Sequence, residues 1–258
     1  MKQELLSIRN LNVSYKGKQA LIDFSYSFCS KKCYAILGAS GAGKSTLIRS
    51  IAQILPESAA INGYIYFNDI SINKESINRF RGRDIAYLSQ DATAYFNPVY
   101  TLQEQVERAI FLASRSIDKK DKEKLAREAL KWAELNEEDF NLYPHEASGG
   151  MLNRAALAIA YAEKAKLILL DEPTSGLDRA LEEQILSSLK KLIDENDSTL
   201  IFVTHSIYSA ITFADEIIIM KDGKIEESGI ASNIQSHQES EYGKALFSAY
   251  ALQGEKNA

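Results

Sequence analysis

The segment Gly38–Thr46 constrains the fold of this chain more than any other stretch of its sequence. It reads GASGAGKST and follows the apolar segment CYAIL, so that Gly38, Gly43, Lys44 and Ser45 fit the spacing G-x-x-x-x-G-K-S/T. An apolar strand before such a loop and a helical pattern after it are typical of an α/β protein with a largely parallel sheet. The sequence therefore predicts a phosphate-binding loop between a buried strand and a helix.

The residue types of this loop have physical reasons to face phosphate groups. Glycine lets backbone N–H groups curve around phosphate oxygens, and the start of the next helix adds partial positive charge. We expect Lys44 to reach the terminal phosphates and Ser45, beside the hydroxyl of Thr46, to bind Mg²⁺. The alternative is a glycine-rich turn that contains lysine by chance. The expected phosphate contacts are Gly38, Ser40, Gly41, Ala42, Gly43, Lys44, Ser45 and Thr46.

A second apolar segment ends in two acidic residues. Residues 167–173 read LILLDEP, which predicts a strand with Asp171 at its end and Glu172 directly after it. A carboxylate at Asp171 can hold Mg²⁺ through water, and Glu172 is placed to polarise an attacking water molecule. Taken alone, these acids could equally cap the strand or begin a turn. Together with the phosphate loop they predict a site for nucleotide hydrolysis.

Elsewhere the chain alternates between strand and helix patterns, with one interruption. Three β-rich segments precede the loop, and the block 91–145 is helical, which indicates a separate lobe. Within that block Leu125, Ala129 and Trp132 fall at i, i+4 and i+7, with charged residues between them, which predicts one apolar helix face.

Composition excludes several classes of function. Of 258 residues, 45% are hydrophobic and 25% are charged, as in ordinary globular proteins. The net charge of −5 argues against a nucleic-acid binder, which would carry a basic stripe. No apolar run approaches the ~20 residues of a membrane span, and the first residues lack the apolar block of a secretory signal. We expect a cytosolic protein.

Several segments together resemble the ATP-binding subunits of ABC transporters, and the resemblance covers nearly the whole chain. ASGGM at 147–151 is similar to that family's signature, usually Leu-Ser-Gly-Gly-Gln, and DEPTSGLD at 171–178 to its magnesium strand and D-loop. VTHS places His205 at the switch-histidine position, and LSQD places Gln90 at the Q-loop. Tyr15 fits the aromatic residue that stacks on adenine.

The resemblance implies an α/β fold: a P-loop NTPase core with a mixed sheet and an antiparallel β subdomain, plus a helical subdomain. The core would comprise residues 1–90 and 165–228. The helical subdomain with the signature would comprise 91–164, and a C-terminal segment 229–258.

The resemblance also implies that two subunits share each nucleotide. They would pack head to tail, so that the helix start at Ser148, Gly149 and Gly150 of one subunit faces the γ-phosphate at Lys44 of the other. Free N–H groups and a positive helix end would bind that phosphate, as they do in the phosphate loop. Asp178 would cross the same interface. The cofactors implied are ATP and Mg²⁺.

The remaining roles implied by the resemblance each have a plainer alternative. Gln90 would sense Mg²⁺ and pass movement to a membrane partner, or it merely ends a strand. His205 would steady the γ-phosphate and the water beside Glu172, or it is an ordinary residue at a strand end. Asp178 could simply cap the following helix, and Tyr15 could simply pack. Ser148 is expected to cap its helix in either case.

Two residues depart from the family pattern, since Ala147 stands where leucine is usual and Met151 where glutamine is common. The Ser-Gly-Gly core between them is intact, so we expect catalysis to survive, with Met151 weakening the contact between subunits.

Local features resemble the branch of importers that takes up peptides, nickel or metal chelates. These are YFNP at 95–98 and YPHEASGGM at 143–151, and the missing cysteine-bearing tail favours the shorter nickel- or chelate-type members. The partners implied are a second ABC ATPase subunit, identical or different, two integral membrane permease subunits and an extracytoplasmic solute-binding protein, with no nucleic acid. The chain would lie peripherally on the cytoplasmic face of the cell membrane.

Other classes fit less well. A non-transport ABC ATPase of DNA repair or translation would show a long coiled-coil insertion or two cassettes. A binding module without catalysis would lack Lys44 or Glu172, and a P-loop kinase or GTPase would not need the Ser-Gly-Gly helix start.

Overall fold

The computed structural model describes residues 3–89, 95–114, 116–172 and 179–256, and the side chains at 179–181 and 251–256 lie outside this description. The chain forms two compact units, one of residues 1–78 with 199–258 and one of residues 79–198. Within the described ranges, no helix has both the length and the apolarity needed to cross a bilayer.

The strands are β1 (Glu4–Tyr15), β2 (Lys18–Cys29), β3 (Cys33–Leu37), β4 (Ala59–Phe67), β5 (Ile70–Ser71), β6 (Ile85–Leu88), β7 (Leu167–Asp171), β8 (Thr199–Val203), β9 (Glu216–Lys221) and β10 (Lys224–Ile230). The helices are α1 (Lys44–Ile51), α2 (Leu102–Ala113), α3 (Lys119–Trp132), α4 (Gly149–Glu163), α5 (Arg179–Asn196), α6 (Ile207–Phe213), α7 (Ala231–Ser236) and α8 (Glu241–Lys256), with short 3-10 turns at Ile77–Arg79 and Glu137–Asn141.

The first unit contains an antiparallel sheet in the order β2-β1-β4-β5. In the second half of β4, the buried residues Ile65 and Phe67 alternate with the more exposed Tyr64 and Tyr66, as in a sheet with one buried face. Ile8 of β1 pairs with Ile65 of β4 and with Tyr26 of β2; Ile8 and Ile65 are buried, whereas Tyr26 is half-buried. This sheet is the antiparallel β portion that the sequence predicts.

The same unit contains a second group of strands in the order β10-β9-β3-β8. Here β3 pairs in parallel with both β8 and β9, whereas β10 returns antiparallel to β9. Every residue of β3 and of β8 is buried, which explains why both read as unbroken apolar runs. Because parallel strands end at the same edge, the loops that follow β3 and β8 lie together.

The second unit pairs β6 with β7 in parallel and packs α2, α3 and α4 against one another. The helix α4 is rich in alanine, and small side chains let neighbouring helices approach closely. Its buried face includes Ala155, Ala158 and Ala160.

The predicted apolar face of α3 is wrong at one position. Leu125 is 42% exposed, and the residues of this helix that are buried are Ala126, Ala129 and Leu130. Trp132 lies at the edge, where its ring stacks on another aromatic ring and its indole N–H donates to a carboxylate. The buried face of this helix is therefore centred one residue further on than predicted. The predicted subdomain boundaries stay a prediction.

Candidate nucleotide-binding site

The phosphate loop begins where β3 ends, and the packing of this chain dictates its glycines. Gly43 precedes the first residue of α1 with φ of 99°, a left-handed conformation that favours glycine. A Cβ at Gly43 would overlap the carbonyl oxygen of Ala20, and one at Gly38 would overlap the carbonyl oxygen of Met220. Both glycines are needed for the loop to fit its own unit.

Lys44 is enclosed by the loop that it follows. Only 5% of its surface is exposed, and its Nζ donates to the carbonyl oxygens of Gly38 at 2.8 Å and Ala39 at 3.0 Å. The ammonium group therefore lies inside the curve of the loop, where the sequence predicts phosphate oxygens. Phosphate would have to replace carbonyl oxygen as the acceptor of these N–H groups.

The structure brings Tyr15 to the other end of the loop. Its hydroxyl lies 3.4 Å from Oγ1 of Thr46, in the first turn of α1, and its ring is half-buried at the end of β1. The hydroxyl of Ser45 belongs to the same helical turn. Tyr15 and the first turn of α1 therefore lie close together in the first unit, and the predicted adenine, Mg²⁺ and phosphate contacts of this segment stay predictions.

His205 lies at the same edge of the sheet as the loop. It follows β8, whose Val203 pairs with Ile36 of β3, and the N–H of the intervening Thr204 donates to the carbonyl of Ile36 at 3.1 Å. The side chain of His205 is exposed. This register places an accessible imidazole on the loop that runs beside the phosphate loop.

Asp171 and Glu172 belong to the second unit. Asp171 is the last residue of β7 and is 3% exposed, whereas Glu172 is half-buried and has φ of 53°. The left-handed conformation is disfavoured for a residue with a Cβ, and strain of this kind is concentrated at functional sites. Spacing alone could not have indicated this backbone conformation at Glu172.

The helix start at 148–150 is built differently from the phosphate loop. Ser148 caps α4 by accepting a hydrogen bond from the N–H of Met151 at 3.3 Å. Apart from the adjoining residues and the backbone of α4 itself, no described heavy atom lies within 4 Å of a Cβ built on Gly149 or Gly150. The first turn of α4 carries no acidic side chain. The N–H groups and the positive end of this helix therefore have no carboxylate partner within the first turn.

The opposite end of α4 carries a carboxyl in an unfavourable environment. Burial raises the pKa of the Glu163 carboxyl to about 8. Burial and the nearby Glu163 carboxylate also raise the pKa of the Tyr95 hydroxyl well above its usual range. Both groups are therefore neutral at mildly acidic pH.

Two predicted site residues, Gln90 and Asp178, lie outside the described residues, as does the segment 173–177. Among the residues that are described, no group of three or more His, Cys, Asp or Glu side chains could hold a metal ion. The hydroxyl of Ser45 and the carboxylate of Asp171 are nevertheless hard oxygen donors. They suit Mg²⁺, which keeps water and phosphate oxygens as its remaining ligands.

One residue at the loop, Tyr242, was not predicted from the sequence. The hydroxyl of Tyr242, in α8, lies 2.9 Å from the backbone nitrogen of Ala39 and accepts its N–H. The two residues are separated by most of the chain, and no motif links them. Only the folded chain brings them together.

Comparison with known proteins places this geometry in a family. The sequence model of the ABC transporter family matches residues 21–175. The chain is 29% identical over 251 residues to the metal-staphylopine import system ATP-binding protein CntD of Staphylococcus aureus, covering 95% of this chain and 92% of that protein. It is 31% identical over 241 residues to the oligopeptide transport ATP-binding protein OppD of Bacillus subtilis, covering 89% of this chain and 67% of that protein.

A solved structure is similar in both fold and sequence. The dimeric, post-hydrolysis structure of the ATP-binding cassette MJ0796, bound to ADP and Pi, matches with a TM-score of 0.78 and 30% identity, covering 88% of this chain and 99% of that chain. The predicted fold class, a P-loop core with mixed and antiparallel sheets and added helices, is confirmed.

Proposed function

Because the chain belongs to the ABC transporter family, it is an ATP-binding and ATP-hydrolysing subunit, and we propose that it powers import of a peptide or a metal chelate through separate membrane permease subunits. The observation that carries this proposal is the phosphate loop with Lys44 enclosed in it. The loop supplies backbone N–H groups, a helix start and one buried cation, which together match a polyphosphate.

The first step that this geometry supports is capture of the triphosphate. Nζ of Lys44 exchanges the carbonyl oxygens of Gly38 and Ala39 for phosphate oxygens, so a buried cation gains charged acceptors in place of neutral ones. Tyr15, near Thr46, would stack on the base at the other end of the nucleotide.

Hydrolysis requires a group that takes a proton from the attacking water. We assign this role to Glu172, which directly follows β7 and has a left-handed backbone conformation. His205 would hold the γ-phosphate and the same water from its place beside the phosphate loop. The hydroxyl of Ser45 and the carboxylate of Asp171 would hold Mg²⁺, which when bound neutralises charge on the phosphates.

The proposal includes a pair of ATPase subunits that close on ATP. Neither Gly149 nor Gly150 meets a described atom that would forbid a side chain, so the described part of this chain does not account for them. A phosphate from a second subunit would account for them, because it needs close access to the N–H groups of α4. The relative MJ0796 is dimeric in its solved structure. In the simplest pair, both subunits are copies of this chain.

Two relatives and the local sequence support the proposed cargo class. One relative is named for metal-staphylopine import and the other for oligopeptide transport. YFNP and YPHEASGGM are the segments of this chain that resemble the same branch. A solute-binding protein and two permeases complete the system that we propose.

Transport by membrane vesicles containing the permeases would test this function. We expect ATP-dependent accumulation of a labelled oligopeptide or a labelled nickel chelate with the wild-type chain, and none with Glu172→Gln. Vesicles that accumulate neither cargo, combined with ATP hydrolysis stimulated by DNA or RNA, would contradict import and favour a non-transport ABC ATPase. The net charge of −5 argues against that second outcome.

A further inference from the structure

Tyr242 connects the C-terminal helix to the phosphate loop within the first unit. Its hydroxyl accepts the backbone N–H of Ala39 at 2.9 Å, and its ring is half-buried. Ala39 is the second residue of the loop, and its own side chain is a methyl group that makes no polar contact. The interaction therefore fixes the backbone of the loop and not a side chain.

The tyrosine ring is held in place from β9. Nζ of Lys221, the last residue of β9, lies 5.2 Å from the centroid of the Tyr242 ring, within the range of a cation–π interaction. The same strand supplies the carbonyl of Met220 that excludes a Cβ at Gly38. The end of β9 thus contacts both the beginning of the loop and the residue that binds it.

The start of α8 is anchored by a carboxylate from the neighbouring strand. Glu227 of β10 is 8% exposed and accepts hydrogen bonds from the N–H groups of Glu239 and Ser240 and from the hydroxyl of Ser240. A Cβ at Gly243 would press against this carboxylate. Because the helix start is fixed in this way, Tyr242 in its first turn has little freedom to leave Ala39.

The peptide groups at Ala39 are bound from two directions. The N–H of Ala39 is bound by Tyr242, and its carbonyl oxygen accepts from Nζ of Lys44 at 3.0 Å. When Nζ of Lys44 binds phosphate instead, the carbonyl oxygen of Ala39 loses its donor. The hydrogen bond from the N–H of Ala39 to Tyr242 does not involve the lysine and stays in place. It then preserves the open curve of the loop.

We propose that Tyr242 is a positioning residue for nucleotide binding, which holds the first bend of the phosphate loop in its binding conformation through the N–H of Ala39. This inference rests on the proposed binding of ATP at the same loop. It assigns to the C-terminal helix a role in nucleotide affinity. Tyr242 is not expected to touch the reacting atoms.

Removal of the hydroxyl alone tests the proposal. In the full chain, Tyr242→Phe retains the ring and its contact with Lys221 but removes the acceptor for Ala39. We expect ATP to bind about threefold to tenfold more weakly and KM to rise by the same factor, with kcat changed less than about twofold, as for the loss of one hydrogen bond. Tyr250→Phe removes a hydroxyl further along the same helix and is the matched control.

A second variant tests the same hydrogen bond indirectly, by changing the carboxylate that holds the start of α8. Glu227→Gln weakens the hold on the start of α8, and we expect a smaller loss of ATP affinity in the same direction. Melting temperatures of all three variants show whether each chain is folded. The inference is overturned if Tyr242→Phe and Glu227→Gln bind ATP as the wild type does, or if kcat falls while KM is unchanged. Failure of the wild-type chain itself to bind ATP would instead overturn the proposed function.

Discussion

The two glycine-rich segments of this chain differ in what makes glycine necessary. In the phosphate loop, Gly43 has a left-handed backbone and a Cβ there would overlap Ala20, so the fold of the first unit requires glycine. At the start of α4, Gly149 has open space around the position of a Cβ among the described residues. Contacts within its own unit explain the first segment, whereas the described residues do not explain the second.

Two helix starts within the second unit also differ, in whether the first turn supplies its own carboxylate. At α2, Thr101 and Glu104 form a capping box, so that the helix supplies its own carboxylate to its first turn. At α4, Ser148 caps the helix and no acid follows in the first turn. An uncompensated helix start attracts anions. An anion site can therefore be recognised at a helix start whose backbone N–H groups have no acidic side chain in the first turn.

The largest effect is expected from removing the proposed general base. Glu172→Gln should lower ATP hydrolysis by about 10²–10⁴-fold, because a proton acceptor contributes that much to such reactions. ATP binding should persist, and the ATP-bound pair should accumulate, since the γ-phosphate stays in place. Size-exclusion chromatography with ATP measures the pair. Equal loss of binding and hydrolysis would contradict the assigned role.

Removal of the loop cation should affect binding itself. Lys44→Ala takes away the donor now bound to Gly38 and Ala39, and we expect ATP affinity to fall on the order of a hundredfold. Equilibrium binding of ATP to the isolated chain is the measurement. Lys120→Ala, at an exposed lysine of α3, is the control and should bind ATP normally. Normal affinity in Lys44→Ala would show that phosphate binds elsewhere.

Alanine at the two glycines should change stability in opposite directions. Gly43→Ala should lower the free energy of unfolding by about 2–3 kcal/mol, through the left-handed backbone and the clash with Ala20. Gly149→Ala should raise the free energy of unfolding by about 0.5 kcal/mol, because alanine favours a helix. It should nevertheless reduce ATP hydrolysis by paired subunits. Urea unfolding gives both free energies, and destabilisation by Gly149→Ala would show that the chain itself requires that glycine.

The change with the least expected effect on ATP binding and hydrolysis concerns the far end of α4. The folded-state pKa of Glu163 is about 8, above the usual 4.5, so the folded chain binds a proton that the unfolded chain releases. The free energy of unfolding should therefore fall as pH rises from about 4.5 to about 8. Glu163→Gln should remove this part of the pH dependence and should be more stable than the wild type above pH 8.

Urea unfolding at several pH values checks this, with fluorescence of Trp132, the only tryptophan, as the signal. Its ring stacks on Tyr161 of α4, with centroids 4.3 Å apart, so it reports on the same unit. Glu138→Gln alters an exposed carboxyl and should leave the pH dependence intact. Parallel curves for Glu163→Gln and the wild type would contradict the effect of burial on this group.

Local spacing was sufficient to predict the phosphate loop, because strand, glycines, lysine and helix follow one another directly. Spacing also placed Asp171 at the end of a buried strand. It could not predict the contact between Tyr242 and Ala39, since that contact depends on how α8 returns to the sheet. It also misplaced the buried face of α3 at Leu125, because a helix with many charged residues leaves its apolar face weakly defined.

The most direct test of a nucleotide site shared between subunits mixes two inactive variants. Lys44→Ala lacks the loop cation, and Gly149→Asp sets a carboxylate where the partner's phosphate would bind. In a mixed pair, the intact loop of one variant meets the intact helix start of the other. An equal mixture should recover about a quarter of wild-type ATP hydrolysis, since half of the pairs are mixed and each holds one complete site. A mixture that stays as inactive as its components, beside an active wild-type chain, would contradict the account.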